Sequence, residues 1–243
     1  MHNETIDLLC KHRSIRKYQQ QPLKLEQIEL ILKAAQSVSS SNFLQCSTII
    51  RITDMIRRKK LAHYSGDQNY ITQAPEFWVF CADFNRHYQI EPGLQLEKAE
   101  QLLLGCIDTA IMAQNVVVAA ESLGLGAVYI GGLRNNIDKV TELLAIPKYV
   151  LPLFGLCIGY PDPADNPEVK PRLPKELVIF KNQYQPINRN LLKQYDEQIN
   201  NYYQHRSTNQ KVGGWSDKIA KIINQENRDF ILAYLHKQGW ITK

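Results

Sequence analysis

The chain has 243 residues, 44% hydrophobic and 22% charged, a composition that supports a buried core of full size and excludes a disordered, collagen-like or disulfide-framed chain. Its formal charge of +5 comes from 29 Lys and Arg against 24 Asp and Glu, interspersed so that neither a domain break nor the basic stripe of a nucleic-acid binder is visible. Arg57-Arg58-Lys59-Lys60 is a basic run, read as a solvated helix face.

From the N-terminus, Ile6, Leu8 and Leu9 mark a short amphipathic helix over 4–12 that closes in the basic segment His12-Arg13-Ser14-Ile15-Arg16. Leu25, Ile28, Ile31, Leu32 and Ala35 recur at helical spacing over 24–37, and Ser39-Ser40-Ser41-Asn42 breaks the pattern. Residues 46–52 and 76–82 read as strands, the second apolar enough to be covered on both faces; a charged surface helix and a loop fill 54–73. Over 97–122 apolar positions run almost all round a helix, which predicts a central element packed on several sides. Its most apolar part, 110–125, is interrupted by Gln114, Asn115, Glu121 and Ser122 and reads as a core helix, not a membrane span. Gly124 and Gly126 end it. A strand over 127–130 then enters Gly131-Gly132-Leu133-Arg134, a helix runs to Leu144, and a further strand covers 151–160. Strands separated by helices predict an α/β or α+β sheet layered with helices. Beyond it, Pro161, Pro163, Pro167, Pro171 and Pro174 punctuate a loop, and 191–204 and 217–238 are helical patterns suited to arms wrapped on a second subunit.

Several chemistries are excluded by absent motifs: no GxxxxGK[ST], HExxH or GxSxG occurs, and the glycines at 124, 126, 131 and 132 lack GxGxxG spacing. Cys10, Cys46, Cys81, Cys106 and Cys157 form no CxxC pair, so no metal site is expected; they read as small buried residues. Their odd number and the polar start of the chain predict a cytoplasmic protein. Three anion-binding candidates remain. His12, Arg13 and Arg16 flank the Ser14 hydroxyl, Pro171 restricts Lys170 and Arg172, and Gly131-Gly132 allow close backbone approach to a flat ligand. Taken singly, each reads first as a basic surface segment, a charged loop or a strand-end turn.

In their order these segments resemble a family. His-Arg-Ser-Ile-Arg, the run Ser39 to Ser41 followed by Phe43-Leu44-Gln45-Cys46, Tyr129-Ile130-Gly131-Gly132-Leu133-Arg134-Asn135 and Lys170-Pro171-Arg172-Leu173-Pro174 are similar to the NADPH nitroreductase and NADPH–flavin oxidoreductase branch of the nitroreductase superfamily. The likeness runs over about 6–239. It implies an α+β fold with a mixed sheet flanked by helices, a single FMN-binding domain over 1–243, and an interlocked homodimer in which about 161–243 forms an excursion and C-terminal wrapping segment. It also implies FMN bound by His12, Arg13, Ser14, Arg16, Gln68, Tyr70, Ile130, Gly131, Gly132, Leu133, Lys170 and Arg172, with Ser40 reaching it from the partner chain. Asn42, Phe43, Arg134 and Arg228 would face the acceptor.

The same resemblance implies ping-pong turnover: NADPH reduces the flavin, NADP leaves, and a nitro compound or quinone takes its place and gains two electrons at a time. No side chain acts as nucleophile. Arg206 and Lys211 would meet the 2′-phosphate of NADPH, in a loop-like stretch over 205–214 expected to be mobile until cofactor binds. Three departures stand out. Lys211 and Val212 occupy positions where the family pattern has arginine, which predicts a weaker hold on that phosphate; Asn42 interrupts an all-serine run; and 160–165 is two residues longer. Other readings are a flavin reductase feeding reduced FMN to a partner, a flavin-binding protein without activity, and, more distantly, a nucleic-acid module. Neither nucleic acid nor membrane is an expected partner.

Overall fold

The computed structural model describes residues 2–165, 167–206, 210–225 and 228–243. They form two compact units, one of 1–167 with 228–243 and one of 168–227.

The first unit is built on four strands, β1 (Ser47–Arg51), β2 (Glu76–Asp83), β3 (Gly126–Ile130) and β4 (Val150–Gly159), in the order β1-β2-β4-β3. Each strand falls where apolar patterning placed one. The sheet is not mixed, however: every pairing is antiparallel among the described residues, with Ile50 opposite Val79, Val79 opposite Gly155 and Val128 opposite Cys157. β2 is buried along its whole length, as its unbroken apolar run requires. Its register with β4 shifts between Phe80 and Cys81, whose partners are Phe154 and Pro152, so Leu153 is bulged out of the ladder. A proline without an N–H is tolerated in this interior strand because the bulge falls beside it.

Helices cover both faces. α1 (Glu4–Cys10) is capped by Asn3, whose side chain accepts from the Ile6 amide at 3.1 Å. α2 (Leu25–Gln36) buries Ile28, Ile31 and Ala35, as its spacing predicts, in a cluster with Trp78, Phe80, Val116 and Val117. The charged segment after β1 is α3 (Met55–Tyr64), capped by Asp54, followed by the one-turn α4 (Tyr70–Gln73). The basic run on α3 is not wholly a solvated face. Arg58 is only 4% exposed and donates to the carbonyls of Ile52, Ala74 and Pro75 at 2.7, 2.5 and 2.9 Å. Three loop carbonyls that would otherwise be buried without donors pull this one guanidinium inward.

α5 (Asn85–Ile90) has no counterpart in the sequence reading, because its residues carry no apolar stripe and all stay at least partly exposed. α6 (Ala99–Ser122) is the long apolar helix. By length and composition it passes the test for a membrane span, as core helices also do. It is not packed on all sides by this chain: Ala113, Val116, Val117 and Ala120 are buried, whereas Leu103, Ile107 and Ile111 are exposed. After β3, a 3-10 turn over Gly131–Asn136 leads into α7 (Ile137–Leu143). Cys46, Cys81 and Cys157 are buried, but Cys10 is exposed and Cys106 half-buried, because their helices turn those positions outward.

The second unit contains α8 (Arg189–Gln204), capped by Asn188, and α9 (Trp215–Ile223). Tyr195, Ile199 and Tyr203 form its small core with Leu173, Tyr202 and Trp215. The helical pattern over 217–238 is two helices, not one: α9 ends at Ile223, and α10 (Ile231–Lys237) belongs to the first unit, where Tyr234 and Trp240 join a cluster with Phe84 and Leu151.

Candidate functional site

In the first unit the strand-end turn after β3 gathers several of the expected residues. Gly132 packs against the 65–68 turn so closely that a Cβ there would lie 2.5 Å from the Ser65 carbonyl oxygen and 2.6 Å from Gln68 Nε2. Gln68 Nε2 itself donates to that carbonyl at 2.9 Å, and the Tyr70 hydroxyl donates to Gln68 Oε1. Arg16 completes the group. Burial raises the Tyr70 pKa above its ordinary value, while the Arg16 charge and its hydrogen bond to the phenol act the other way. Arg16 makes no ion pair among the described residues, so its charge is available to an incoming anion. Its segment is held against the sheet edge, where the Ile15 amide donates to the Ala127 carbonyl at 3.0 Å and Tyr18 bridges to Pro161. Ser14 and Arg13 lie half-buried on the same stretch. His12 has already met a carboxylate: its Nδ1 lies 2.6 Å from Glu121 Oε1. Ile130 and Leu133 are core residues whose backbone, not their side chains, borders the turn.

Arg134 and Arg228 stand on the other side of the same turn. Arg134 Nη1 donates to the carbonyl of Leu153, the residue that the β4 bulge frees from the ladder. Arg228 donates to Asn135 Oδ1 at 2.7 Å and, weakly, to the Gly131 carbonyl at 3.4 Å. Burial and then the neighbouring Arg228 charge lower the Arg134 pKa. Two guanidiniums this close, neither in an ion pair among the described residues, suit a ligand rich in acceptor oxygens.

Ser40, Asn42 and Phe43 form a separate loop, whose hydrogen bonds reach none of these groups. Asn42, Phe43 and Gln45 all take left-handed backbone angles, φ of 49°, 59° and 52°, an arrangement that costs free energy for residues with a Cβ. Asp108, on α6 and 4% exposed, holds it: Ser40 Oγ donates to its carboxylate at 2.6 Å and the Ser41 amide at 3.2 Å. Ser40 Oγ in turn accepts from the Gln45 amide at 2.7 Å, and Arg86 and His87 on α5 bind the Gln45 and Leu44 carbonyls. Phe43 is left 80% exposed. Ser40, Leu44, Arg86, His87, Asp108 and Met112 line a cavity of about 470 Å³. Sequence reasoning missed Asp108; the available signal was one acid inside an otherwise apolar helical stretch.

Lys170, Arg172, Arg206 and Lys211 all belong to the second unit. Arg172 Nη1 donates to the Lys170 carbonyl at 2.8 Å, Lys170 Nζ lies 5.2 Å from the Tyr203 ring centroid, and Arg206 stacks over Tyr202 at 5.5 Å. Ser207, Thr208 and Asn209, part of the stretch expected to be loop-like, lie outside the described residues. Among the described residues no cluster of His, Cys, Asp and Glu could hold a metal ion.

Comparison with known proteins covers the whole chain. The family model "Nitroreductase family" matches residues 9–160 and "Nitroreductase family, C-terminal domain" matches 170–243. The chain is 61% identical over 239 residues to an oxygen-insensitive NADPH nitroreductase of Salmonella typhimurium, covering 98% of this chain and 99% of that one. It resembles the crystal structure of nitroreductase A from Vibrio parahaemolyticus with a TM-score of 0.94 and 46% identity, over 100% of both chains. An NADPH:FMN oxidoreductase from Vibrio harveyi, solved in complex with NAD+, matches with a TM-score of 0.93 and 44% identity over 99% of this chain and 100% of that one.

Proposed function

Because the chain belongs to the nitroreductase family, we propose that it is an FMN-dependent, oxygen-insensitive NADPH nitroreductase acting on nitroaromatic and nitrofuran compounds and on quinones. The observation that carries this reading is the likeness along the full length of both chains, which leaves no part of such an enzyme without a counterpart. When bound, FMN supplies the redox chemistry, accepting hydride from NADPH and passing two electrons at a time to the acceptor, so that nitro becomes nitroso and then hydroxylamine.

The chain's own residues bind, orient and tune. The donor set beside Gly132 fits a flavin nucleotide: a guanidinium at Arg16 without an ion pair among the described residues, a phenol and an amide at Tyr70 and Gln68, and backbone that a glycine lets approach closely. His12, Arg13, Ser14 and the stretch 130–133 extend that surface, and Lys170 and Arg172 add cations for the phosphate. A cation beside the ring stabilises the negative charge of the reduced state. Arg206 and Lys211 take the 2′-phosphate of NADPH. Asn42, Phe43, Arg134 and Arg228 face the acceptor, with Arg228 donating to a nitro or carboxamide oxygen.

The active form is a homodimer in the cytoplasm, each chain a single domain over 1–243 whose final third wraps its partner and whose Ser40 loop serves the partner's flavin. The exposed Leu103, Ile107 and Ile111 on α6 support this, since a helix with apolar residues all round wants cover on the side its own chain leaves bare. The five cysteines, all free, fit a reducing compartment.

Steady-state turnover of the flavin-loaded protein with NADPH tests the proposal, using nitrofurazone, a benzoquinone and free FMN as acceptors. The nitro compound and the quinone are expected to be reduced faster than free FMN, with parallel double-reciprocal plots. No NADPH oxidation with any acceptor overturns the proposal, and faster turnover with free FMN moves the assignment to a flavin reductase.

A further inference from the structure

Three cations of the second unit converge on one aromatic ring, and a fourth acts on it by its charge. Lys218 Nζ lies 3.7 Å from the centroid of Tyr203, Lys170 Nζ 5.2 Å and the Arg206 guanidinium carbon 5.8 Å. Lys211 is near enough for its charge to act on the same phenol; burial raises the Tyr203 pKa, but the Lys170 hydrogen bond and the charges of Lys170, Lys218 and Lys211 outweigh it and bring the value below that of free tyrosine. None of the four cations makes an ion pair among the described residues. The nearby acids are turned to backbone instead: Asp196 accepts from the Ser216 amide at 2.8 Å, and Asp217 from the Gly214 amide at 3.0 Å. Concentrated positive charge with its acids engaged elsewhere is unfavourable until an anion neutralises it.

Lys218 is the most exacting member. Its ammonium is shut off from solvent and has no hydrogen-bond acceptor among the described residues. The ring face of Tyr203 offsets part of the lost hydration, but among the described residues the three N–H donors have no lone pair to point at. A phosphate dianion supplies such lone pairs and has enough of them to serve several cations at once.

We propose that Lys218 joins Arg206 and Lys211 in holding the 2′-phosphate of NADPH and so helps to set the preference for NADPH over NADH. This rests on the reading, given above, that Arg206 and Lys211 meet that phosphate. It also changes what the replaced arginines mean. Val212 is 84% exposed and brings no charge to the cluster, whereas Lys218, one turn into α9, brings the charge that position lacks. The hold on the phosphate is then not weakened by the departures at 211 and 212.

The test compares Lys218→Gln and Lys218→Arg with the parent enzyme, all flavin-loaded. Lys218→Gln is expected to raise the NADPH KM about tenfold, with kcat and the NADH KM within about twofold of the parent, and to weaken inhibition by 2′-AMP without altering that by 5′-AMP. Lys218→Arg, which keeps the charge, should restore most of the loss; were Lys218→Gln to misfold, an Arg variant with parent-like NADPH selectivity and 2′-AMP inhibition sustains the proposal, and one without them ends it. Equal changes for both nucleotides, or an unchanged NADPH KM, overturn it. Arg206→Ala measured alongside separates the two layers. Selective NADPH loss at Arg206 with none at Lys218 removes Lys218 alone, whereas unselective loss at Arg206 removes the 2′-phosphate assignment itself.

Discussion

Single residues carry much of the site through close approach. At Gly132 the space for a side chain is already filled by the Ser65 carbonyl and the Gln68 amide. A methyl group there must push apart the turn that positions Gln68 and, through it, Tyr70. Gly132→Ala is therefore expected to cost about 1–3 kcal/mol in folding stability, as overpacking does, and to lower the flavin content. Urea denaturation and the ratio of flavin to protein absorbance measure both; a variant as stable and as yellow as the parent would show that the turn has slack. The double glycine was legible as a place of close backbone approach, but its counterpart was not, because Ser65 and Gln68 lie more than sixty residues earlier in the chain. Arg58 makes the same point: a solvated basic run is the ordinary reading of its neighbours, and the three carbonyls that bury it come from loops on either side.

At the scale of elements, α6 decides the most. Its inner face is tied into the core through Ala113, Val116 and Val117, and Asp108 on the same helix holds the Ser40 loop in its left-handed conformation. Its outer face carries Leu103, Ile107 at 55% exposure, and Ile111. If a second copy covers that face, Ile107→Asp places an uncompensated charge in an apolar contact and should convert the dimer to a monomer that loses flavin. Sedimentation velocity with absorbance at protein and flavin wavelengths reads both outcomes, and an unchanged dimer would place the interface elsewhere. β4 is the other decisive element. The bulge beside Pro152 frees the Leu153 carbonyl for Arg134. That link joins a feature of the sheet to a side chain proposed to face the acceptor.

For the whole molecule, burial of weak acids makes stability depend on alkaline pH. Burial, and then the charge and hydrogen bond of Asp108, push the Cys46 thiol up to about 12; burial and the Glu121 charge push Tyr129 up to about 12, and burial does the same for Tyr234. These groups hold their protons in the folded chain to higher pH than in the unfolded one, so unfolding releases protons. Their contribution is complete below the unfolded thiol value near 9.0 and is lost as pH rises toward the folded values. The urea midpoint is expected to be level from pH 7 to about 8.5 and to fall above it, less steeply in Cys46→Ala. A midpoint unchanged up to pH 11 would show that these groups titrate alike in the folded and the unfolded chain.

The sequence by itself determined the four strands and the helices α2, α6 and α8, because apolar period and turn chemistry are local properties that a chain displays without folding; the family, and with it the α+β class, came from the resemblance of its ordered motifs. Only the tertiary structure decided that the sheet is antiparallel throughout the described residues, that the 217–238 pattern is two helices in different units, that Arg58 is buried, and that Lys218 meets Tyr203 together with Lys170 and Arg206. Each of these depends on which distant segments meet, and that follows from strand pairing and shared burial over long separations, which no local pattern encodes.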